Sequence, residues 1–331
     1  MRLSVVIPVH NGGESFRRCL NALAGSTRAA DEVIIVNDAS TDKSVSVAVN
    51  AGYRIINADN GPRGPSFARN LGANEATGDM LIFLDADVAV HDDTLGRIET
   101  YFEKHPEVTA LFGSYDDNPP HRSTISLYKN LQHHYVHQTG KRETFTFWTG
   151  CGAVKRGVFT AIGGFDETRG GPVMKMEDVE FGMRMSEAGH IIMLLPDVQV
   201  THFKKWTAKS WIRTEIINRA IPWSKLLLSS GKMPDDLNMG VKARLSALAA
   251  WFLFFFLGSG FFVPLLWIGA GFSIAVICLL NRDFYHLLWR EGGNFFVAAS
   301  VCLHIFYFLY SSAIFGFIAI RHLLSGKNNP N

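Results

Sequence analysis

The chain has 331 residues, enough for one large domain or two ordinary ones. Its formal net charge of +2 argues against a protein built chiefly to bind nucleic acid. Four cysteines, Cys19, Cys151, Cys278 and Cys302, stand far apart with no C-x-x-C spacing, which excludes a zinc site and a disulfide framework on them.

Leu3 to Pro8 reads as a strand. The stretch Met1 to Val9 is too short for a signal peptide and runs into Pro8 and Gly12-Gly13 without a cleavage-like site, so the N-terminal part is expected in the cytoplasm. Glu14 to Leu23 has helical periodicity, Glu32 to Val36 is a second strand, and Tyr53 to Asn57 is a short third. Ser66 to Ala76 reads as a helix stopped at Gly78, and Met80 to Leu84 as a buried fourth strand. This βαβ rhythm predicts an α/β fold with a Rossmann-like, mostly parallel sheet whose ligands lie beyond the carboxyl ends of the strands. Those ends carry Val9-His10-Asn11, Asp38 and the pair Asp85-Ala86-Asp87.

The Asp85/Asp87 pair is the most telling feature. Two carboxylates spaced i, i+2 at a strand end repel each other and call for a cation. Hard divalent ions such as Mn²⁺ or Mg²⁺ are held by a few carboxylates, substrate phosphates and water. No G-x-G-x-x-G follows the first strand and no G-x-x-x-x-G-K-S/T occurs, so dinucleotide and P-loop readings fail.

An ordered series of motifs carries a resemblance. Val5-Val6-Ile7-Pro8-Val9-His10-Asn11 is followed by Val36-Asn37-Asp38-Ala39-Ser40-Thr41-Asp42, Ala68-Arg69-Asn70-Leu71-Gly72-Ala73, Gly78-Asp79 and Asp85-Ala86-Asp87. Gly163-Gly164-Phe165-Asp166-Glu167, Glu177-Asp178-Val179-Glu180-Phe181-Gly182-Met183-Arg184 and Val200-Thr201-His202 complete it. Over roughly the first two hundred residues the chain resembles the family-2 glycosyltransferases of membrane-anchored bacterial type. The resemblance implies a GT-A fold, a nucleotide-diphosphate sugar donor, a divalent metal and inversion at the anomeric carbon. Carried over position by position, it implies donor binding by Pro8, Val9, Asn11, Asp38, Arg69, Asp85, Gly150 and Glu177. It implies Asp87 and His202 as metal ligands and Asp178 as general base. Cys151, between Gly150 and Gly152, is expected to be a small pocket residue rather than a nucleophile.

His133-His134-Tyr135-Val136-His137 lacks the Glu that a zincin needs after its first His, and reads as a solvated or acceptor-facing helix. Between Lys204 and Arg244, nine Lys/Arg against three Asp/Glu interleave with Trp206, Trp211 and Trp223, the pattern of an interfacial segment on an anionic leaflet. Beyond it, Leu245 to Leu280 carries no charge and is interrupted at Gly258-Ser259-Gly260 and Pro264, and Phe295 to Ile320 forms a second apolar run. The expected organisation is a GT-A domain over 1–205, an interfacial segment over 206–241, and transmembrane helices at 242–259, 261–280 and 295–320. A loop over Asn281–Asn294 and a tail over 323–331 complete it.

These readings converge on a multi-pass protein of the cell inner membrane with a cytoplasmic catalytic domain. Its expected partners are the sugar donor, a lipid or lipid-linked acceptor and the membrane, without nucleic acid. A non-catalytic binding or assembly protein on the same fold is the alternative. A transporter is disfavoured, since three spans offer little wall.

Overall fold

The computed structural model describes residues 1–59, 61–170, 176–231 and 239–326. Part of the interfacial segment and most of the tail lie outside the described residues. The chain gathers into two compact units: Met1–His121 with His137–Lys205, and Arg122–Val136 with the chain from Trp206 on.

In chain order the elements of the first unit are β1 (Leu3–Val9), α1 (Gly13–Ala24), β2 (Glu32–Asn37), α2 (Ser44–Asn50), β3 (Arg54–Asn57), α3 (Pro65–Glu75), β4 (Met80–Leu84), β5 (Val88–Val90), α4 (Thr94–Lys104) and β6 (Val108–Tyr115). Helix α5 (Thr124–Thr139) contributes most of its length to the second unit. The first unit resumes with β7 (Glu143–Thr144), β8 (Cys151–Lys155), α6 (Arg156–Ile162), α7 (Glu167–Gly170), α8 (Glu177–Glu187) and β9 (Ile191–His202). Among the described residues nine strands make one sheet in the order β3-β2-β1-β4-β8-β6-β9-β5, with β7 also paired to β9.

The first half of that sheet, β3-β2-β1-β4, is parallel as the βαβ rhythm predicts. The second half is mixed, because β8 runs antiparallel to both β4 and β6. Central strand β1 is apolar along its length since both faces are covered; Leu3, Val5, Val6 and Ile7 are fully buried. Pro8 is tolerated in it because the ladder to β4 ends at Val6–Phe83, so no partner on that side waits for its missing N–H. Helix α1 buries Phe16, Cys19, Leu20 and Leu23, one face at helical spacing. Helix α3 starts with Pro65 in its first turn. Gly72 lets it approach the sheet, where a Cβ would meet Val6 Cγ1 at 2.5 Å.

Strand β9 is irregular where it pairs with β6. Phe112 pairs with Leu194 but Ser114 pairs with Gln199, so two steps along β6 match five along β9. Gly113 sits at this bulge, where a Cβ would stand 2.0 Å from the Val198 carbonyl oxygen.

The second unit is helical. The π-helical turn Thr214–Ala220 follows α9 (Ala208–Arg213) and leads into α10 (Ile221–Ser230), with α11 (Val241–Ser259), α12 (Trp267–Leu280) and α13 (Arg282–Gly326) beyond. Val241–Ser259 and Arg282–Leu324 are long and apolar enough to cross a membrane, and Pro264–Leu280 is a shorter apolar helix. Helix α11 buries only Ser246, Ala249, Ala250 and Leu253, while Phe252, Phe254 and Phe255 are exposed. The stretch Asn281–Asn294, expected as a loop, is instead mostly helical. It is broken at Gly293 (φ 72°), and Phe284, Tyr285 and Leu288 bury one face. Helix α5 also departs from expectation: Leu127, Tyr128 and Leu131 pack in one core with Trp206, Trp211 and Phe284, so it is a packed helix rather than a solvated one. That packing is why Arg122–Val136, expected within the first domain, belongs to the second unit.

Candidate active site

The carboxyl ends of β1 and β2 are stitched together by polar groups. The Asp38 N–H donates to the Val9 carbonyl oxygen at 2.8 Å, and Asn11 Oδ1 accepts from the Thr41 N–H at 2.7 Å. Both Asp38 carboxylate oxygens accept backbone N–H groups, from Arg63 and Gly64 at 2.8 Å each. Asn11 and Asp38 therefore shape the rim of the crevice first, by fixing the loops after β1, β2 and β3. Three non-glycine residues adopt left-handed backbone: Asn11 (φ 52°), Ala39 (φ 58°) and Met176 (φ 67°). They follow β1, follow β2 and precede α8. Such conformations cost of order 1–3 kcal/mol each and gather where a site over-determines the backbone.

Asp87 and His202 meet through strand register. Val88 pairs with His202 and the Phe203 N–H donates to the Asp87 carbonyl oxygen, which brings Asp87 Oδ2 within 3.6 Å of His202 Nε2. Burial pushes the Asp87 carboxyl up, but the neighbouring His202 and the Lys204 charge outweigh it and bring it down to about 2. The Asp87 side chain keeps 37% exposure, so a ligand can reach it. The His202 ring stacks flat on Tyr115, with centroids 4.2 Å apart and 7° between planes. Tyr115 in turn meets Trp148 edge-on at 4.8 Å. Two donors facing one point fit a divalent ion whose remaining ligands are phosphate oxygens and water; among the described residues no third His, Cys, Asp or Glu joins them.

A buried ionic chain lies behind this pair. Arg69 donates from Nη2 to Asp85 Oδ1 at 2.7 Å and from Nη1 to Glu177 Oε1 at 2.8 Å. Arg69 and Glu177 are fully buried, and they anchor Asp85 and the start of α8. Asp178 follows Glu177, accepts the Val179 N–H at 2.8 Å and lies 3.4 Å from the Thr149 N–H. Because Leu84 pairs with Cys151, the sheet sets Asp85 and Gly150 at neighbouring positions of adjacent strands. Gly150 is required by Trp148, whose Cζ2 would lie 2.1 Å from a Cβ there, so it acts through the indole that it admits. Burial and the Glu177 charge raise the Asp178 carboxyl to about 7, with the Arg69 charge opposing. Arg69 pairs with two carboxylates, and the third, Asp178, lies beside them in the same buried cluster. Burial pushes the Cys151 thiol up to about 12, as expected of a pocket residue rather than a nucleophile.

The downstream motifs hold this arrangement in place. Arg184 donates to the carbonyl oxygens of Ile162 and Gly164, each at 2.6 Å, clamping the Gly163-Gly164 turn. Gly164 is left-handed (φ 66°) and faces Asn70 Oδ1, which accepts the Phe165 N–H at 2.9 Å. Phe165 packs against Phe83, Phe159 and Phe181 beneath the end of β4. Tyr115, Trp148 and Lys204 were missed in the sequence. The signal for Tyr115 was its place at the end of a buried strand running into Asp116-Asp117.

Residues 4–163 match the family model described as Glycosyl transferase family 2. An uncharacterised glycosyltransferase, YibD, of Escherichia coli K12 is 42% identical over 95 residues, spanning 27% of this chain and 27% of that protein. The O-antigen chain rhamnosyltransferase RfbN of Salmonella typhimurium is 24% identical over 240 residues, spanning 67% of this chain and 74% of its own length. Among solved structures, the mannosyltransferase PcManGT from Pyrobaculum calidifontis, in complex with GDP-Man and Mn²⁺, has TM-score 0.56 and 17% identity. That likeness covers 94% of this chain and 86% of that one, and it shows the GT-A fold alone. Residues 4–163, whose βαβ half-sheet ends in the Asp38 and Asp85/Asp87 rims, carry the pattern of glycosyl transferase family 2.

Proposed function

We propose that the chain is a membrane-bound, metal-dependent, inverting glycosyltransferase. It moves one sugar from a nucleotide-diphosphate donor to a lipid or lipid-linked acceptor. The observation that carries the reading is the Asp87–His202 pair, joined by strand register at 3.6 Å and linked through Asp85, Arg69 and Glu177 to the poised carboxyl of Asp178. Asp87 and His202 would hold Mn²⁺ or Mg²⁺, which supplies charge to stabilise the departing diphosphate. Tyr115 fixes the His202 ring plane and leaves its Nε2 facing Asp87. Asp85, held by Arg69, would accept a hydrogen bond from the ribose or from a metal-bound water, and Asp38 from the base. Pro8, Val9 and Asn11 form the floor and rim of the nucleotide pocket. Asp178, near its proton-exchange midpoint at neutral pH, takes the proton of the acceptor hydroxyl as it attacks the anomeric carbon; a base so poised contributes typically 10²–10⁴-fold.

The exposed apolar helices α11, α12 and the later part of α13, beside a basic segment with tryptophans, support a multi-pass anchor in the cell inner membrane. The first unit would lie on the cytoplasmic face. The names of the rhamnosyltransferase relative and of the GDP-Man and Mn²⁺ complex support an acceptor in polysaccharide or glycolipid assembly and a divalent ion.

A thermal-shift panel of UDP- and GDP-sugars with Mn²⁺ tests the core of the reading. At least one donor should raise the Tm only when Mn²⁺ is present, and chelator should remove the shift. Full transfer activity in excess chelator would sink the metal assignment.

A further inference from the structure

The second unit buries a polar cluster that sugar transfer in the first does not use. Lys129, on α5, is nearly buried and donates to Glu215 Oε1 at 2.8 Å and to Gln132 Oε1 at 3.0 Å. Glu215 sits in the π-helical turn Thr214–Ala220, and its Oε2 accepts the Tyr310 hydroxyl of α13 at 2.8 Å. Arg219, on the same turn, spends one nitrogen, Nη1, on both Glu215 Oε1 (3.1 Å) and His133 Nε2 (2.7 Å). Its Nε and Nη2 have no hydrogen-bond partner among the described residues. They are also absent from the buried unpaired atoms, and the side chain is 35% exposed, so this edge meets solvent.

Two cations thus share one carboxylate. Burial, aided by the Arg219 charge and opposed by Glu215, lowers Lys129 to about 8. A π-helical turn widens the backbone and is found often at functional sites. A guanidinium held at one nitrogen, with its Nε–Nη2 edge open, matches the two-oxygen face of a phosphate. An aromatic stack continues from Tyr310: exposed Phe306 packs on it and on buried Trp211, along the helix proposed to enter the bilayer.

We propose that the Nε–Nη2 edge of Arg219, backed by Lys129 and His133, is an oxyanion subsite for the phosphate of an amphiphile, a long-chain alkyl or prenyl phosphate ester. This rests on the lipid-acceptor reading above and names the group on the acceptor that the second unit recognises. The Lys129–Glu215–Tyr310 pairs fix the fork, and the phosphate supplies the negative charge that the cluster lacks.

The test uses the full-length protein in nanodiscs of uncharged phosphatidylcholine, titrated separately with farnesyl phosphate, farnesol, inorganic phosphate and a nucleotide-sugar donor with Mn²⁺. Farnesyl phosphate should saturate a site, farnesol should not, and inorganic phosphate should compete only at far higher concentration. Arg219→Gln should weaken farnesyl phosphate binding at least tenfold and Arg219→Lys less, with donor binding and Tm unchanged in both. Equal binding of farnesyl phosphate by Arg219→Gln and the wild type would overturn the subsite. Inorganic phosphate binding as tightly as the farnesyl ester would overturn the lipid source and leave a free-phosphate site. Wild type that binds farnesyl phosphate but no nucleotide sugar would instead refute the glycosyl-transfer reading, so the two failures are distinguishable.

Discussion

At the scale of single residues, the ionisation of two aspartates in one crevice is pulled in opposite directions. Asp87 is held far below neutrality by His202 and Lys204, and Asp178 is lifted to about 7 by burial beside Glu177. A base works when deprotonated, so transfer should rise with pH through about 7 and level off above it. Asp178→Asn keeps the shape but not the basicity. It should retain donor affinity, lose transfer by roughly 10²-fold or more, and flatten that pH limb. Collapse of donor binding in this variant would make Asp178 structural. Asp87→Ala should remove Mn²⁺-dependent donor binding, read by calorimetry. Tyr115→Leu, which leaves both donors but frees the His202 ring, should weaken Mn²⁺ several-fold with kcat less affected.

At the scale of elements, glycines at close approaches are the most sensitive points. Gly113→Ala would drive a Cβ into the Val198 carbonyl, which no side-chain movement relieves. It should cost about 1–3 kcal/mol of stability and weaken metal binding through β9. Gly157→Ala, in α6 with nothing within 4 Å, should leave stability unchanged or raise it by up to about 1 kcal/mol, as denaturant melts would show. The parallel half of the sheet was legible in the sequence because apolar runs such as Met80–Leu84 and turn residues such as Gly78 are local signals. The inverted strand β8 was not, since antiparallel insertion is decided by long-range pairing. The same distinction holds in the site. The Asp85/Asp87 spacing is visible in three residues, whereas the burial of Arg69 between Asp85 and Glu177 joins positions 16 and 108 residues apart in sequence. The packing of α5 was hidden for a related reason: its histidines look polar, but Leu127, Tyr128 and Leu131 face a core that lies far along the chain.

At the scale of the whole molecule, the basic segment and apolar helices should bind the protein to membranes as an integral component. It should stay with the membrane fraction after carbonate washing and require detergent for extraction. Three crossings would put the residues after α13 on the face opposite the first unit. A cysteine introduced at Leu324 should then react with an impermeant maleimide from outside intact spheroplasts, while one at Arg17 should not. Labelling of both from the same side would reduce the crossings to two, with the short apolar helix Pro264–Leu280 lying along the surface.

The bulge in β9 makes the meeting of Asp87 and His202 unusually dependent on chain length. Leu195 to Val198 act as a spacer between a strand segment aligned on Phe112 and one aligned on Ser114. Since strand side chains alternate with period two, removing one residue from the spacer would turn His202 to the wrong face of the sheet, while removing two would preserve its facing. Length variation in this spacer should therefore be tolerated in steps of two, and deletion scanning across 195–198 should alternate between inactive and partly active proteins.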